Sequence, residues 1–349
     1  MEGQIPVLEL KGGYYLPSLT FNTLMDYVKG SSIVREAQST SLLSNNLSYS
    51  VDVRIPYKKI LVGAGYFQIL DGSIPSDVLN LIIKGNVFLL GHRFYPSFFS
   101  VFYGGGVFYG GGITISTPSF NFFIQIKGGE LKNFFKADGK IGALNFSKGG
   151  DTVQASLSLN AVYSWKNAYS LMLDGGINAY IDEKVKASFN VRNGGIAIIK
   201  RAVRLNAKAN GVFYGINISP ELFFLPSYTI SFKDSIPVKW SFDTLPYYIS
   251  PIPFYCEGVI NYQFSEKAGG GASIRIWFNS GMPPALSPFI SVSLSKKVNL
   301  TLGGYIDANK LIGGNIHISY ILNKTMVSIG LYGFNYIYSG AIEQGIYFS

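Results

Sequence analysis

Residues 152–165 read TVQASLSLNAVYSW, placing Val153, Ala155, Leu157, Leu159, Ala161, Tyr163 and Trp165 on one parity and Thr152, Gln154, Ser156, Ser158 and Asn160 on the other. Successive side chains of a strand point to opposite faces, so this stretch is a strand with one apolar and one polar face. The pattern recurs on both sides of it. Leu47 to Tyr57 sets Ser48, Ser50, Asp52 and Arg54 against Tyr49, Val51, Val53 and Ile55. Lys184 to Arg192, Ala202 to Asn210, Glu257 to Ser265, Ala272 to Asn279 and Asn315 to Tyr320 alternate in the same way. Many of these runs have about ten residues, beyond the usual five or six and equal to what a tilted strand needs to cross a bilayer.

Composition agrees with that reading. Of 349 residues only 14% are charged, against about 25% in a soluble domain, while 48% are hydrophobic. The surplus lies in 24 Tyr, 26 Phe and 40 Gly, a strand-forming mixture and not the leucine and alanine of a helical membrane protein. The charge-free span Phe94 to Ile126 would suit a membrane helix in length, but Pro96, Pro118 and the triplets Gly104 to Gly106 and Gly110 to Gly112 would break it. The net charge of +9 comes from scattered Lys and Arg, without the runs that mark a nucleic-acid surface. One cysteine, Cys256, excludes an intrachain disulfide framework and a multi-cysteine metal site. No cofactor or metal is expected. Met1-Glu2-Gly3-Gln4-Ile5-Pro6 does not read as a secretory leader, so the numbering is expected to start at a mature or re-engineered terminus.

Short Gly, Asn, Asp and Lys clusters separate the strands, as at 148–151, Lys166-Asn167, Asp182-Glu183 and Asn193-Gly194-Gly195, and predict tight antiparallel hairpins. The expected fold is all-β: a single domain over 1–349, a transmembrane antiparallel up-and-down barrel of about 16 strands, within 14 to 18. Two stretches read as irregular. Residues 23–46 are one. Residues 217–256 are the other, with six of the fifteen prolines; they read either as an ordered loop over or into a lumen, or as two edge strands with irregular turns. The hexapeptide Val101 to Gly106 is repeated directly as Val107 to Gly112, which suggests close packing between protomers or around a barrel corner.

With these alternating strands, the aromatics Tyr57, Tyr163 and Trp165 near strand ends, and the terminal Gly345-Ile346-Tyr347-Phe348-Ser349, the chain resembles bacterial outer-membrane β-barrels of the porin type. Members of that group usually end on an aromatic residue; here Phe348 is penultimate. The resemblance implies residence in the bacterial outer membrane, contact with its lipid, and trimers or another homo-oligomer. It also implies passive diffusion of small hydrophilic solutes or ions through a water-filled lumen. A structural barrel with a plugged lumen, held among other envelope proteins, is the alternative; a lipid-acting enzyme or a transporter of hydrophobic substrates comes after it.

Charges facing lipid near the midplane cost a few kcal/mol each, so the alternating charges belong inside or at the rims. By parity the expected pore-lining set is Asp52, Arg54, Lys84, Lys184, Lys186, Arg192, Arg204, Lys208, Asn261, Gln263, Arg275 and His317. Cations dominate it, so a mild anion preference is expected, partly offset by Asp52, Asp174 and Asp307. Asn315, His317 and Ser319 share one face, and outer-membrane phospholipases likewise place a His two residues before a nucleophilic Ser. Here Tyr320-Ile321-Leu322 follows in place of that family's glycine-containing polar stretch, and the expected role is a polar lumen wall without catalysis.

Overall fold

The computed structural model describes residues 7–15, 42–57, 59–75, 97–142, 145–146, 153–219, 227–232, 238–280, 282, 284–308, 312–322, 325–334 and 341–348. Its segments are β1 (Val7–Tyr15), β2 (Leu42–Tyr57), β3 (Ile60–Pro75), β4 (Ser97–Ser116), β5 (Phe120–Ile141), β6 (Asn145–Phe146), β7 (Val153–Ser164), β8 (Ala168–Tyr180) and β9 (Val185–Ser219). They continue with β10 (Ser227–Phe232), β11 (Val238–Ile252), β12 (Phe254–Ser265), β13 (Ala268–Phe278), β14 (Ala285–Ser295), β15 (Val298–Asp307), β16 (Ile312–Leu322), β17 (Thr325–Phe334) and β18 (Ala341–Phe348).

Their registers join several segments end to end. β7 and β8 pair in one continuous antiparallel run along β5, with Ser164 opposite Phe134 and Ala168 opposite Leu131, so residues 165–167 form a bulge and not a hairpin. β6 extends β5 along β7, and β10, β11 and β12 follow one another along β9. The wall therefore has fourteen staves. Each is antiparallel to the next, and β1 closes the barrel on β18. Closure removes the edges that a sheet this large would otherwise expose.

Two of the expected turns are bulges. Asn167 and Asn193 have φ of 62° and 58°, the left-handed region that Asn tolerates better than most residues, and at both places the chain kinks and continues. β9 consequently runs unbroken for 35 residues. The 217–256 stretch is largely strand: β10 and β11 pair with β9, and among the described residues β11 pairs on that side only. An edge position accepts Pro246 and Pro251, and Pro246 lies opposite Arg201, itself in the left-handed region at φ 54°. Of the two readings of 217–256, β10 and β11 follow the edge-strand one, while Phe254 to Cys256 open β12, which pairs with both β9 and β13. Of 23–46, residues 42–46 belong to β2 and the remainder lie outside the described residues.

Tight turns join β2 to β3, β12 to β13, β14 to β15 and β16 to β17, where paired residues such as Ser265 and Ala268 are separated by two positions. All of these, with the turns before β5 and β9, fall on one rim. The longer connections fall on the other. At that short-turn rim Asp182 accepts hydrogen bonds from the Lys184 and Val185 amides at 2.6 and 2.7 Å.

β13 to β17 have ten or eleven residues. Eleven residues tilted by about 40° rise roughly 28 Å, close to the apolar band of such barrels. The outer face carries that band as exposed Ile126, Leu171, Ile260, Ile274, Ile290 and Ile318. Above it Tyr163 and Trp165 stack edge-on at 6.2 Å, and the Lys200 ammonium sits 5.6 Å from the Tyr169 ring centroid, an amphipathic girdle at the level where a bilayer meets water. β5, β7, β9 and β11 continue past that girdle, so one half of the wall stands taller than the other.

Candidate lumen site

The inner face of β4 is written by the hexapeptide repeat. A period of six is even, so both copies present the same side chains to the same side: Phe102, Gly104, Gly106, Phe108, Gly110 and Gly112 all point inward. The Phe and Gly row of the repeat thus builds the interior, while its Val and Tyr row faces outward. Phe102 and Phe108 are buried with Phe67, Leu131, Phe134, Met172, Ile199 and Ile252 in an apolar cluster on the inner face of the tall half-wall. Phe134 meets Phe102 edge-on at 5.8 Å and Tyr248 at 6.1 Å, so β5 and β11 touch across the concave side and the half-wall curls around its own core. The intervening glycines make room. A Cβ on Gly110 would lie 2.6 Å from the Ile126 carbonyl oxygen and 2.9 Å from Lys127 Cγ.

That space is taken by a charged layer. Lys127 Nζ lies 2.5 Å from the Asp174 carboxylate, both side chains almost wholly buried, and Arg192 approaches the same carboxylate at 3.6 Å. The Asn193 amide donates to Asp174 at 2.7 Å, made possible by the bulge at that residue. Lys127 also lies over the Phe108 ring at 4.6 Å and Arg192 over Phe123 at 5.6 Å. Further round, Arg275 donates to Glu257 at 3.0 Å and stacks over Tyr255 at 4.9 Å. Register connects the two groups, since Gln125 faces Asp174, Tyr255 faces Arg192 and Glu257 faces Arg275. Lys127 and Asp174 are sealed in the wall, whereas Arg192, Glu257 and Arg275 keep about a fifth to a quarter of their side-chain surface accessible.

From β14 to β17 the inner face is a hydrogen-bonded polar ladder. Ser293 pairs with Asn299 at 2.7 Å, Thr301 donates to Ser291 at 3.1 Å and Ser328 to Ser319 at 3.1 Å. His317 sits in it, its Nδ1 3.5 Å from Ser319 Oγ, long for a hydrogen bond. Asn315 donates to the Gly304 carbonyl at 2.8 Å. Among the described residues no three His, Cys, Asp or Glu side chains converge as metal ligands would.

The parity-predicted residues separate by height. Arg192 and Arg275 lie opposite Tyr255 and Glu257 of β12, Asn261 lies opposite Lys186, and His317 lies opposite Thr301. Lys184, Lys186 and Gln263 stand exposed at the short-turn rim, Lys186 5.2 Å from the Tyr180 ring and Gln263 donating to the Ser265 carbonyl at 2.6 Å. Arg204 and Lys208 belong to the tall wall above the girdle: Arg204 pairs with Asp243 at 3.0 Å, and Lys208 faces Lys239 in register. Asp52 and Arg54 lie on β2 with side chains outside those described, and Lys84 lies outside the described residues. Lys127, Gln125 and Asp71 escaped the parity reading, because apolar residues share their inner face and mask the alternation.

A contact joins segments that are not neighbours in the wall. Ser280, just after β13, donates its hydroxyl to the carboxylate of Asp71 on the inner face of β3. The same hydroxyl accepts from the Met282 amide at 3.1 Å.

No family model and no curated protein matches the sequence. Among solved structures, the chain is similar to a TodX deltaS2S3 mutant monoaromatic hydrocarbon channel, with 8% identity and a TM-score of 0.38 over 98% of this chain and 87% of that one. It is similar also to the translocator domain of autotransporter NalP from Neisseria meningitidis, with 8% identity and a TM-score of 0.29 over 98% of this chain and 86% of that one. A third is the siderophore receptor PirA from Pseudomonas aeruginosa, with 8% identity and a TM-score of 0.25 over all of this chain and 80% of that one.

Proposed function

We propose that this protein is a bacterial outer-membrane channel that passes small hydrophilic solutes by diffusion, with a mild preference for anions. The observation that carries the proposal is the continuous polar strip on the inner face from β12 to β17, set against an apolar outer face on the same strands. Such a division suits water inside and lipid outside. The preference follows from the accessible charges of the mid-lumen layer, two guanidiniums, Arg192 and Arg275, to one carboxylate, Glu257. Lys184 and Lys186 add positive charge at the short-turn mouth. Cations in a narrow aqueous path raise the local anion concentration. The outward Val107, Tyr109, Ile113 and Ile115 strip of β4 supports a homo-oligomer contact, with Tyr109 two-thirds exposed.

A second reading has its own observation. The apolar cluster and the Ser280 contact fill part of the interior, as a structural barrel with a closed lumen would require. Conductance of the purified protein in a planar bilayer under a KCl gradient separates the two. Stable steps with an anion-favouring reversal potential are expected. Inserted, folded protein that stays silent would overturn the channel and favour the structural role.

A further inference from the structure

Above the girdle β4, β5, β7, β9 and β11 are consecutive neighbours, and their registers set three rows of side chains on one face. The lowest row runs Phe102, Lys136, Val162, Arg204, Asp243. The next runs Ser100, Asp138, Asn160, Asn206, Ser241, and the uppermost Phe98, Lys140, Ser158, Lys208, Lys239. Phe102 and Val162 belong to the inner apolar cluster, so all three rows look inward and away from lipid. Just beneath them Phe134 of β5 meets Tyr248 of β11 at 6.1 Å, which curls the sheet and makes the rows line a trough.

The rows differ in chemistry. In the lowest, Arg204 is held by Asp243 at 3.0 Å, and Lys136 lies 3.9 Å from Asp138 of the next row. In the uppermost, Lys140, Lys208 and Lys239 are exposed and form no ion pair among the described residues. Lys140 lies instead 5.4 Å from the ring centroid of Phe98, itself two-thirds exposed. Lys208 and Lys239 stand directly opposite one another, where like charges repel. An anion between them replaces that repulsion with charge-assisted hydrogen bonds. Lys140 is two strands from Lys208, about 10 Å away. Among these cations the trough carries neutral hydroxyls and amides, Ser100, Ser158, Asn160, Asn206 and Ser241. Such groups both donate and accept, as sugar hydroxyls do.

We propose that this trough binds an acidic oligosaccharide at the long-connection mouth of the barrel. One anionic group is held between Lys208 and Lys239 and a second by Lys140, while Asn160, Asn206 and the neighbouring serines take the ring hydroxyls. Phe98 offers an apolar surface to the C–H face of a sugar ring. A simple inorganic anion would leave the neutral groups unused, and lipid headgroups border the opposite face of the wall. Only the passage of the bound sugar into the lumen rests on the channel reading above.

Calorimetric titration of the full chain in detergent tests the site, with trigalacturonate as the probe and maltotriose, inorganic phosphate and hexa-aspartate beside it. Trigalacturonate is expected to bind, less tightly as salt rises because the lysines are exposed, and the other three to bind about tenfold or more weakly than it does. Lys208→Gln with Lys239→Gln should weaken trigalacturonate by about tenfold or more, and Asn160→Ala with Asn206→Ala several-fold. Lys296→Gln with Lys297→Gln removes the same charge at the short-turn rim and should change nothing. Heat-dependent electrophoretic mobility reports folding of every variant, and the exposed Lys208 and Lys239 keep the test intact if the asparagine pair fails to fold. No binding at all, an unchanged Lys208 and Lys239 double variant, or equal binding of maltotriose, phosphate or hexa-aspartate would overturn the proposal. The titration needs no open lumen, so absent binding in a conducting protein refutes the site and leaves the channel, whereas binding in an inserted but silent protein supports the site and refutes the channel.

Discussion

Replacing Lys127 by Met tests whether the charged layer holds the tall half-wall together. Lys127 and Asp174 are 2.5 Å apart and Arg192 and Asp174 3.6 Å. At an effective dielectric of about 20 these separations correspond to gross attractions of about 7 and about 5 kcal/mol. Taking each ion out of water costs several kcal/mol, so the intact cluster is close to neutral in net terms. Breaking it is different. Asp174→Ala strips the buried Lys127 and the partly accessible Arg192 of their shared partner and should cost about 3–5 kcal/mol. Lys127→Met leaves Asp174 with Arg192 and the Asn193 amide and should cost less, about 3 kcal/mol. The double variant Lys127→Met with Asp174→Ala removes a buried charge of each sign and should cost at least 2 kcal/mol less than the two singles together, roughly the coupling expected within one network. Urea unfolding from lipid vesicles, followed by tryptophan fluorescence, measures all three. Additive costs within about 0.5 kcal/mol would refute the cluster as a coupled unit.

Four further outcomes follow from the same geometry. Arg192→Gln with Arg275→Gln should move the reversal potential in a KCl gradient toward the cation side while leaving folding intact, since Glu257 then dominates the accessible layer. Gly110→Val should lower the urea midpoint sharply, because its side chain would occupy the place of Lys127 Cγ; an unchanged midpoint would mean that β4 presents its other face. Ile290→Arg should destabilise the inserted protein by about 2–4 kcal/mol, whereas Ser291→Arg, one residue on, should be tolerated and alter conductance instead. Gln125 is fully buried and its amide has no hydrogen-bond partner among the described residues, so Gln125→Leu should raise stability by about 1 kcal/mol in the same unfolding assay.

The short half of the barrel was legible because its two faces meet two solvents. Ile274, Ile276 and Phe278 face outward and Ser273, Arg275 and Trp277 inward, so alternation in the sequence maps onto lipid and lumen without interference. The tall half was less legible for the opposite reason. On β4 both faces are apolar or glycine, and on β5 the inward row runs Phe123, Gln125, Lys127, Gly129, Leu131, which no two-class pattern separates. Turn chemistry misled at Asn167 and at Asn193-Gly194-Gly195 because Asn and Gly serve a bulge as readily as a hairpin, and only cross-strand register tells them apart. Proline left 238–252 open between a loop and an edge strand, because it excludes a central strand but permits an edge, and edge status belongs to the whole wall. The Ser280 to Asp71 contact spans 209 residues and has no local signature at all.

This division has a physical consequence for how the barrel stands. Around β14 to β17 an inner residue is small and polar, so cohesion there comes from backbone pairing, the serine ladder and the lipid outside. Around β3 to β11 the inner face carries a cluster of Phe, Leu, Met and Ile in mutual contact beside the buried Lys127 and Asp174, and cohesion comes from a packed interior like that of a soluble domain. Only the second arrangement can continue above the bilayer, where lipid no longer covers the outer face. That is the half whose staves β5, β7, β9 and β11 do continue. A Phe-Gly-Gly inner row supplies both requirements at once, with bulk at every third inward position to fill the core and gaps between to admit Lys127 and its partners. An even-period repeat is the shortest device that writes such a row on one face of a strand while leaving Val101, Tyr103, Val107 and Tyr109 for the other.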